Sequence, residues 1–109
     1  MSDPQAQVPP TVPFIPLDEL LGVISSPVRW RLLQELLTGD QHMVSELAER
    51  MNSSVDVVSK HLAVLRQARI VIQGRNRLYQ IAPQFIADKE NRLLDFGWCL
   101  LRMNVGEQR

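Results

Sequence analysis

The sequence predicts a mainly α protein carrying one small β-hairpin. Capped segments with apolar residues at helical spacing occupy most of residues 17–68, two β-branched runs flank Gly74-Arg75-Asn76, and a further apolar stretch runs from about 84 to 104. Charge adds a third observation. From Val57 to Ile81 stand Lys60, Arg66, Arg69, Arg75 and Arg77 with no Asp or Glu, in a chain whose 12 Lys plus Arg balance 12 Asp plus Glu. A neutral protein has gathered positive charge into one segment, the footprint of a surface that meets a polyanion.

Prolines at 4, 9, 10, 13 and 16 make residues 1–16 an extended, flexible arm, since proline suits neither a helix interior nor a sheet interior. A first short helix follows. Leu17, Leu20, Leu21 and Ile24 fall at helical spacing, and Asp18 and Glu19 suit the positive end of its dipole. Ser25-Ser26-Pro27 marks the start of helix two: a serine oxygen can accept a free backbone N–H, and proline has none to leave unpaired. Val28, Leu32, Leu33, Leu36 and Leu37 form its apolar stripe, Arg29 and Arg31 lie on the wetter side, and Thr38-Gly39-Asp40 ends it.

Helix three is VSELAERM, with Val44, Leu47, Ala48 and Met51 on its buried face. Asn52-Ser53-Ser54 breaks the pattern and supplies a cap, so helix four runs from about Val55 to Ala68. Two short helices joined in this way form a helix-turn-helix. In helix four Val55, Val58, Leu62 and Leu65 face the core. The opposite face then carries Asp56, Lys60, Ala63 and Gln67, flanked by Val57 and Val64, with Ser53 and Ser54 at the tip. Small residues between a few polar ones let such a face approach base edges closely.

Ile70–Gln73 and Arg77–Ile81 read as the two strands of a hairpin, with Arg75 and Arg77 at its tip, placed to touch phosphates. Helix-turn-helix plus hairpin is a winged helix-turn-helix. Residues 84–104 then read as a fifth helix, apolar around much of its circumference. Leu93, Phe96, Gly97, Leu100 and Met103 have heptad-like spacing, which favours contact with a second subunit. Residues 17–104 thus form one winged helix-turn-helix domain in the order α-α-α-α-β-β-α, and 105–109 a tail.

Composition narrows the function. No apolar run reaches the roughly 18 to 20 residues needed to span a bilayer, and the start lacks the basic and apolar regions of a signal peptide, so no membrane is expected and the cytoplasm is the default compartment. One cysteine, Cys99, and two histidines are poor provision for a transition metal. An enzyme is disfavoured: there is no nucleophile-and-base or paired-carboxylate arrangement and no glycine-rich phosphate loop, and no cofactor is called for.

From about Leu20 to Ile81 the chain resembles the ArsR/SmtB family of bacterial winged-helix regulators. SSPVRWRLLQELL looks like that family's opening helix, VSELAERM like its scaffold helix, and VVSKHLAVLRQARIV with GRNRLYQI like its recognition helix and wing. The resemblance implies a homodimer on double-stranded DNA, two recognition helices entering successive major grooves of a near-palindromic operator, acting as a repressor. First and last helices would form the interface, here through Leu17, Leu20 and Leu21 with Leu93, Phe96, Gly97, Leu100 and Met103. Ser54, Val57, Ser59, Lys60 and His61 would occupy the reading region, His61 in a DNA-facing or a packing role, with Arg75 and Arg77 on the wing.

The chain also departs from that family. Where many relatives have Gln, Ser and Thr in the recognition helix's first turn, it has Val55, Asp56 and Val57. Asp56 suits the helix dipole or a cytosine amino group, and Val57 a thymine methyl. The positions that hold metal thiolates in many relatives are Met43 and Ser45, and residues 84–104 contain no histidine, so Asp88, Glu90 and Asp95 alone would offer oxygen ligands. His42 reads as a turn residue. The inducer is therefore unknown from sequence. Two alternatives stay open: a protein-interaction module using the wing and the Trp30 and Trp98 surfaces, and a thiol sensor using Cys99.

Overall fold

A computed structural model describes residues 15–39 and 41–104, and over them the chain forms four helices followed by five short strands. The helices are α1 (Leu17–Ile24), α2 (Pro27–Leu36), α3 (Val44–Arg50) and α4 (Val55–Gln67). Beyond them lie β1 (Val71–Gln73), β2 (Tyr79–Ile81), β3 (Ile86–Asp88), β4 (Leu93–Asp95) and β5 (Leu100–Arg102). The expected arm and tail fall outside the described residues, Ile15 and Pro16 excepted.

The serine signals act as anticipated. Ser26 accepts the Arg29 N–H at 3.2 Å with Pro27 at the first position of α2, and Ser54 accepts the Val57 N–H at 3.2 Å. The turn of the helix-turn-helix is made by Asn52, whose left-handed backbone (φ 53°) lets the Ser53 N–H reach the Ala48 carbonyl at 2.9 Å. Arg69 repeats the device at the end of α4. At φ 68° it sends its own N–H to Arg66 and that of Ile70 to Leu65, at 2.9 and 3.0 Å, and so turns the chain into β1.

Leu20, Leu32, Leu33, Leu47, Val58, Leu62 and Leu65 meet in the core, all with no exposed surface. Each buried leucine contributes about 1.5–3 kcal/mol by leaving water. Val28 and Val55, expected inside, are exposed because each stands in the first turn of its helix, beyond the edge of that core. Two polar side chains enter the core with partners. Glu35 is buried between Arg31 (3.0 Å) and Arg50 (3.8 Å), and buried Gln34 donates to the Asn104 carbonyl at 2.7 Å.

The wing is an antiparallel pair, Val71 opposite Ile81 and Gln73 opposite Tyr79. His42 extends it. Its backbone exchanges two hydrogen bonds with Tyr79 (2.9 and 2.7 Å), and its ring Nε2 lies 3.2 Å from the Leu36 carbonyl. That carbonyl can only accept, so the proton sits on Nε2. His42 is therefore a buried staple between the end of α2 and the wing, beyond the turn role expected of it.

The fifth helix is not formed. Residues 86–102 make a three-stranded antiparallel sheet in the order β3-β4-β5, with Leu94 opposite Leu101. Two side-chain-stabilised turns break what would have been a helix. Asp88 accepts the Asn91 N–H (3.1 Å) ahead of left-handed Arg92, and Asp95 accepts the Gly97 N–H (2.8 Å) with Gly97 at φ +86°. The apolar residues follow a period of two: Leu94 and Phe96 are buried, as is Met103 with Leu101 partly so, while Asp95 on β4 and Leu100 and Arg102 on β5 are exposed. Phe96 packs on Phe85 with ring centroids 5.1 Å apart.

The expected dimer seam is corrected accordingly. Leu20, Phe96 and Met103 belong to the protomer's own core, and Gly97 serves a turn rather than a close helix approach. Leu93 is half-buried. Leu17, Leu21 and Leu100 remain on the surface.

Candidate nucleic-acid interface

The outward face of α4 is set by what the helix buries. With Val58, Leu62 and Leu65 inside, the 100° step per residue turns Asp56, Val57, Lys60, Val64 and Gln67 outward, and all five are exposed. Ser54 stands at the tip with its hydroxyl engaged as the cap, so it positions the helix as well as facing out; Ser53 is half-buried beside it. Asp56 lies in the first turn, where a carboxylate suits the helix dipole.

Two predicted reading residues sit on the flanks. Ser59 and His61 are half-buried, and His61 Nδ1 lies 3.2 Å from Arg29 Nη1. An acceptor on Nδ1 requires the neutral ring, and burial followed by the Arg29 charge lowers the His61 pKa below its ordinary value. His61 therefore ties α4 to the preceding helices from the flank of the reading face.

Arg29 itself went unrecognised in the sequence. Its Nε donates to the Val23 carbonyl at 2.6 Å and Nη2 to the Gly22 carbonyl at 3.3 Å, capping the end of α1. One side chain thus joins α1, α2 and α4. Its only sequence signal was a position three residues after the Ser26 cap.

Arg75 and Arg77 are both exposed in the turn between β1 and β2, closed by the Gly74 N–H to the Leu78 carbonyl at 2.9 Å. Asn76 and Arg77 adopt left-handed backbone at φ 63° and 58°. Arg66 and Arg69, counted in the sequence only as charge, line a groove of about 380 Å³ with Val71, Ile72, Gln73 and Gln84. Positive groups therefore run from the end of α4 to the wing tip. Lysine and arginine side chains so exposed can neutralise phosphates, and an exposed helix face can enter a groove.

A family described as a helix-turn-helix domain matches residues 24–73, the span from the end of α1 through β1. Over 83 residues, 73% of this chain and 91% of the relative, the sequence is 29% identical to the transcriptional repressor SdpR of Bacillus subtilis (strain 168). Among solved structures, an ArsR-like transcriptional regulator from Rhodococcus sp. RHA1 superposes with a TM-score of 0.54 at 25% identity, over 62% of this chain and 66% of that one. The chain is a winged helix-turn-helix protein similar to regulators of the ArsR type. It is accordingly a DNA-binding transcriptional regulator, and the proteins it matches are regulators rather than enzymes.

Against that background the chain has its own sensing inventory. Among the described residues no three of His, Cys, Asp and Glu come together in a metal-sized group. Burial, with Asp95 as a second cause, raises the pKa of the Cys99 thiol. Reactive thiols are shifted the other way, so this environment argues against the thiol-sensor alternative. No helix among the described residues is long and apolar enough to cross a membrane.

Proposed function

We infer that this chain is a cytoplasmic repressor that binds a near-palindromic operator as a homodimer. One α4 from each protomer enters the major groove, and each wing lies along the backbone. The observation that carries this is the exposed α4 face of Asp56, Val57, Lys60, Val64 and Gln67 leading into the exposed wing arginines 75 and 77, with no acidic residue between Val57 and Ile81. Lys60 is the residue on that face able to read a guanine edge, and Val57 and Val64 can meet thymine methyl groups. The relative named as a repressor supports the direction of regulation.

The test is a binding titration on DNA from upstream of the protein's own gene, set against random DNA, at several salt concentrations. Counterion release makes log K fall with log salt at about 0.9 per phosphate neutralised. A salt-independent affinity, or equal affinity for both DNAs, would overturn the reading.

A further inference from the structure

Among the described residues, no strand pairs with the outer edge of β5. In its pairing with β4, the Phe96 N–H bonds to the Cys99 carbonyl (3.0 Å) and the Met103 N–H to the Arg92 carbonyl (2.8 Å). Hydrogen-bonded pairs alternate along an antiparallel ladder, so Leu94 and Leu101 form the pair between these two, and the backbone groups of Leu100 and Arg102 point away from β4. Both residues are exposed, Leu100 at 59%, and β5 is an outer strand of its sheet. An exposed edge carrying an apolar side chain is a template for another strand.

We propose that the occupant is a second copy of this chain, joined β5 to β5 about a two-fold axis at Leu101 to form one six-stranded sheet. This rests on the homodimer reading above and places its interface. The register follows from which groups face outward. Centred on Leu101, Leu100 of each copy exchanges both backbone hydrogen bonds with Arg102 of the other, giving four bonds. Centred on Leu100, only that residue's pair would form within the strands, because Trp98 lies in the turn before β5. Centred on Arg102, two guanidinium groups would face each other directly, which is repulsive.

Charge complementarity selects the same register. On the outer sheet face Asp95 lies opposite Leu100, and Leu93 opposite Arg102. Pairing about Leu101 extends each row across the axis to Asp95, Leu100, then the second copy's arginine 102 and leucine 93. The arginine and Asp95 then stand two strand spacings apart, roughly 10 Å between Cα atoms, within the combined reach of their side chains. The exposed Leu100 between them is covered by the arginine's aliphatic stem. At the flank, the Trp98 indole donates to the Ile15 carbonyl at 2.7 Å, bringing the start of α1 against the β4–β5 turn. Exposed Leu17 and Leu21 extend the apolar surface from there.

The experiment measures the mass of the full-length protein in solution by light scattering, with circular dichroism to confirm folding. Wild type is expected as a dimer. Leu100→Pro removes only an outward N–H and should give a folded monomer at the same concentration; Leu100→Lys, which sets a lysine against the second copy's arginine, should do so without altering the backbone. If wild type is a monomer even when bound to operator, the homodimer reading fails. If it is a dimer and both variants remain fully dimeric, the β5 interface alone is overturned. In a Cys99→Ser background, Leu101→Cys should oxidise to a covalent dimer and Leu100→Cys should not, because the first pair lies about 4.5 Å apart and the second beyond disulfide reach. Crosslinking at position 100 instead of 101, or at neither, would overturn the register.

Discussion

Arg29 Nη1 meets His61 Nδ1 at 3.2 Å, while the same guanidinium caps the Gly22 and Val23 carbonyls. The recognition helix is thereby tied to the end of α1 by a contact that needs a neutral imidazole. Protonating His61 would set two cations face to face in a half-buried site.

That contact predicts a pH dependence of stability. The folded His61 pKa lies below its ordinary 6.5, by burial first and Arg29 second, so the unfolded chain binds the proton more readily. The contribution is therefore complete above pH 6.5, falls as pH drops below it, and levels off once the folded pKa is passed. Urea unfolding of wild type and His61→Gln from pH 7.5 to 5 isolates the effect, because every other titrating group is common to both. Wild type should lose more stability on acidification; parallel curves would refute the assignment.

Arg69 holds a left-handed conformation at the end of α4, where a side chain costs about 1 kcal/mol relative to glycine. Arg69→Gly should raise stability by about 0.5–1 kcal/mol, seen as a higher melting temperature. It also removes a cation from the groove beside β1, so DNA affinity should fall while stability rises. Opposite movement of the two readouts distinguishes a conformational cost carried for binding from an ordinary packing role.

Lys60 and the wing arginines should separate in their effects on DNA. Lys60→Ala is expected to weaken operator binding by about 1–3 kcal/mol with a smaller loss on random DNA, as for a base-reading contact. Arg75→Ala and Arg77→Ala should weaken both DNAs equally and each reduce the salt slope by about one unit. Equal losses for Lys60→Ala on both DNAs would reassign that lysine to the phosphate backbone.

How far the sequence could be read depended on whether local signals and burial agreed. The four helices and the wing were legible because serine caps, a proline at the first helical position and apolar spacing all point to the same elements. In α4 the three leucine and valine positions that define the inner face also fix the outer one, so the exposed set of Asp56, Val57, Lys60, Val64 and Gln67 followed by geometry. The contact that joins His61 to Arg29 was not legible because it spans 32 residues and leaves no periodic trace. Residues 84–104 failed for a different reason. Each strand is only three residues long, so the alternation along it is brief, and with turns between the strands their leucines mimic a heptad. The discriminating signals were Asp88 three residues before Asn91 and Asp95 two before Gly97, each an aspartate able to fold its own turn.

Gly97 gives a test of that correction whose sign differs between the two folds. In a helix interior, Gly97→Ala would stabilise by about 1 kcal/mol, since alanine is the better helix former. In the turn between β4 and β5, φ is +86° and a side chain is strained, so the same change should destabilise by about 1–2 kcal/mol. No atom lies within 4 Å of where the new Cβ would stand, so a steric clash does not confuse the comparison. Thermal unfolding of Gly97→Ala beside wild type decides it. A lowered midpoint with unchanged helical ellipticity supports the sheet, and a raised midpoint with increased helicity would restore the fifth helix and remove β5 as an interface.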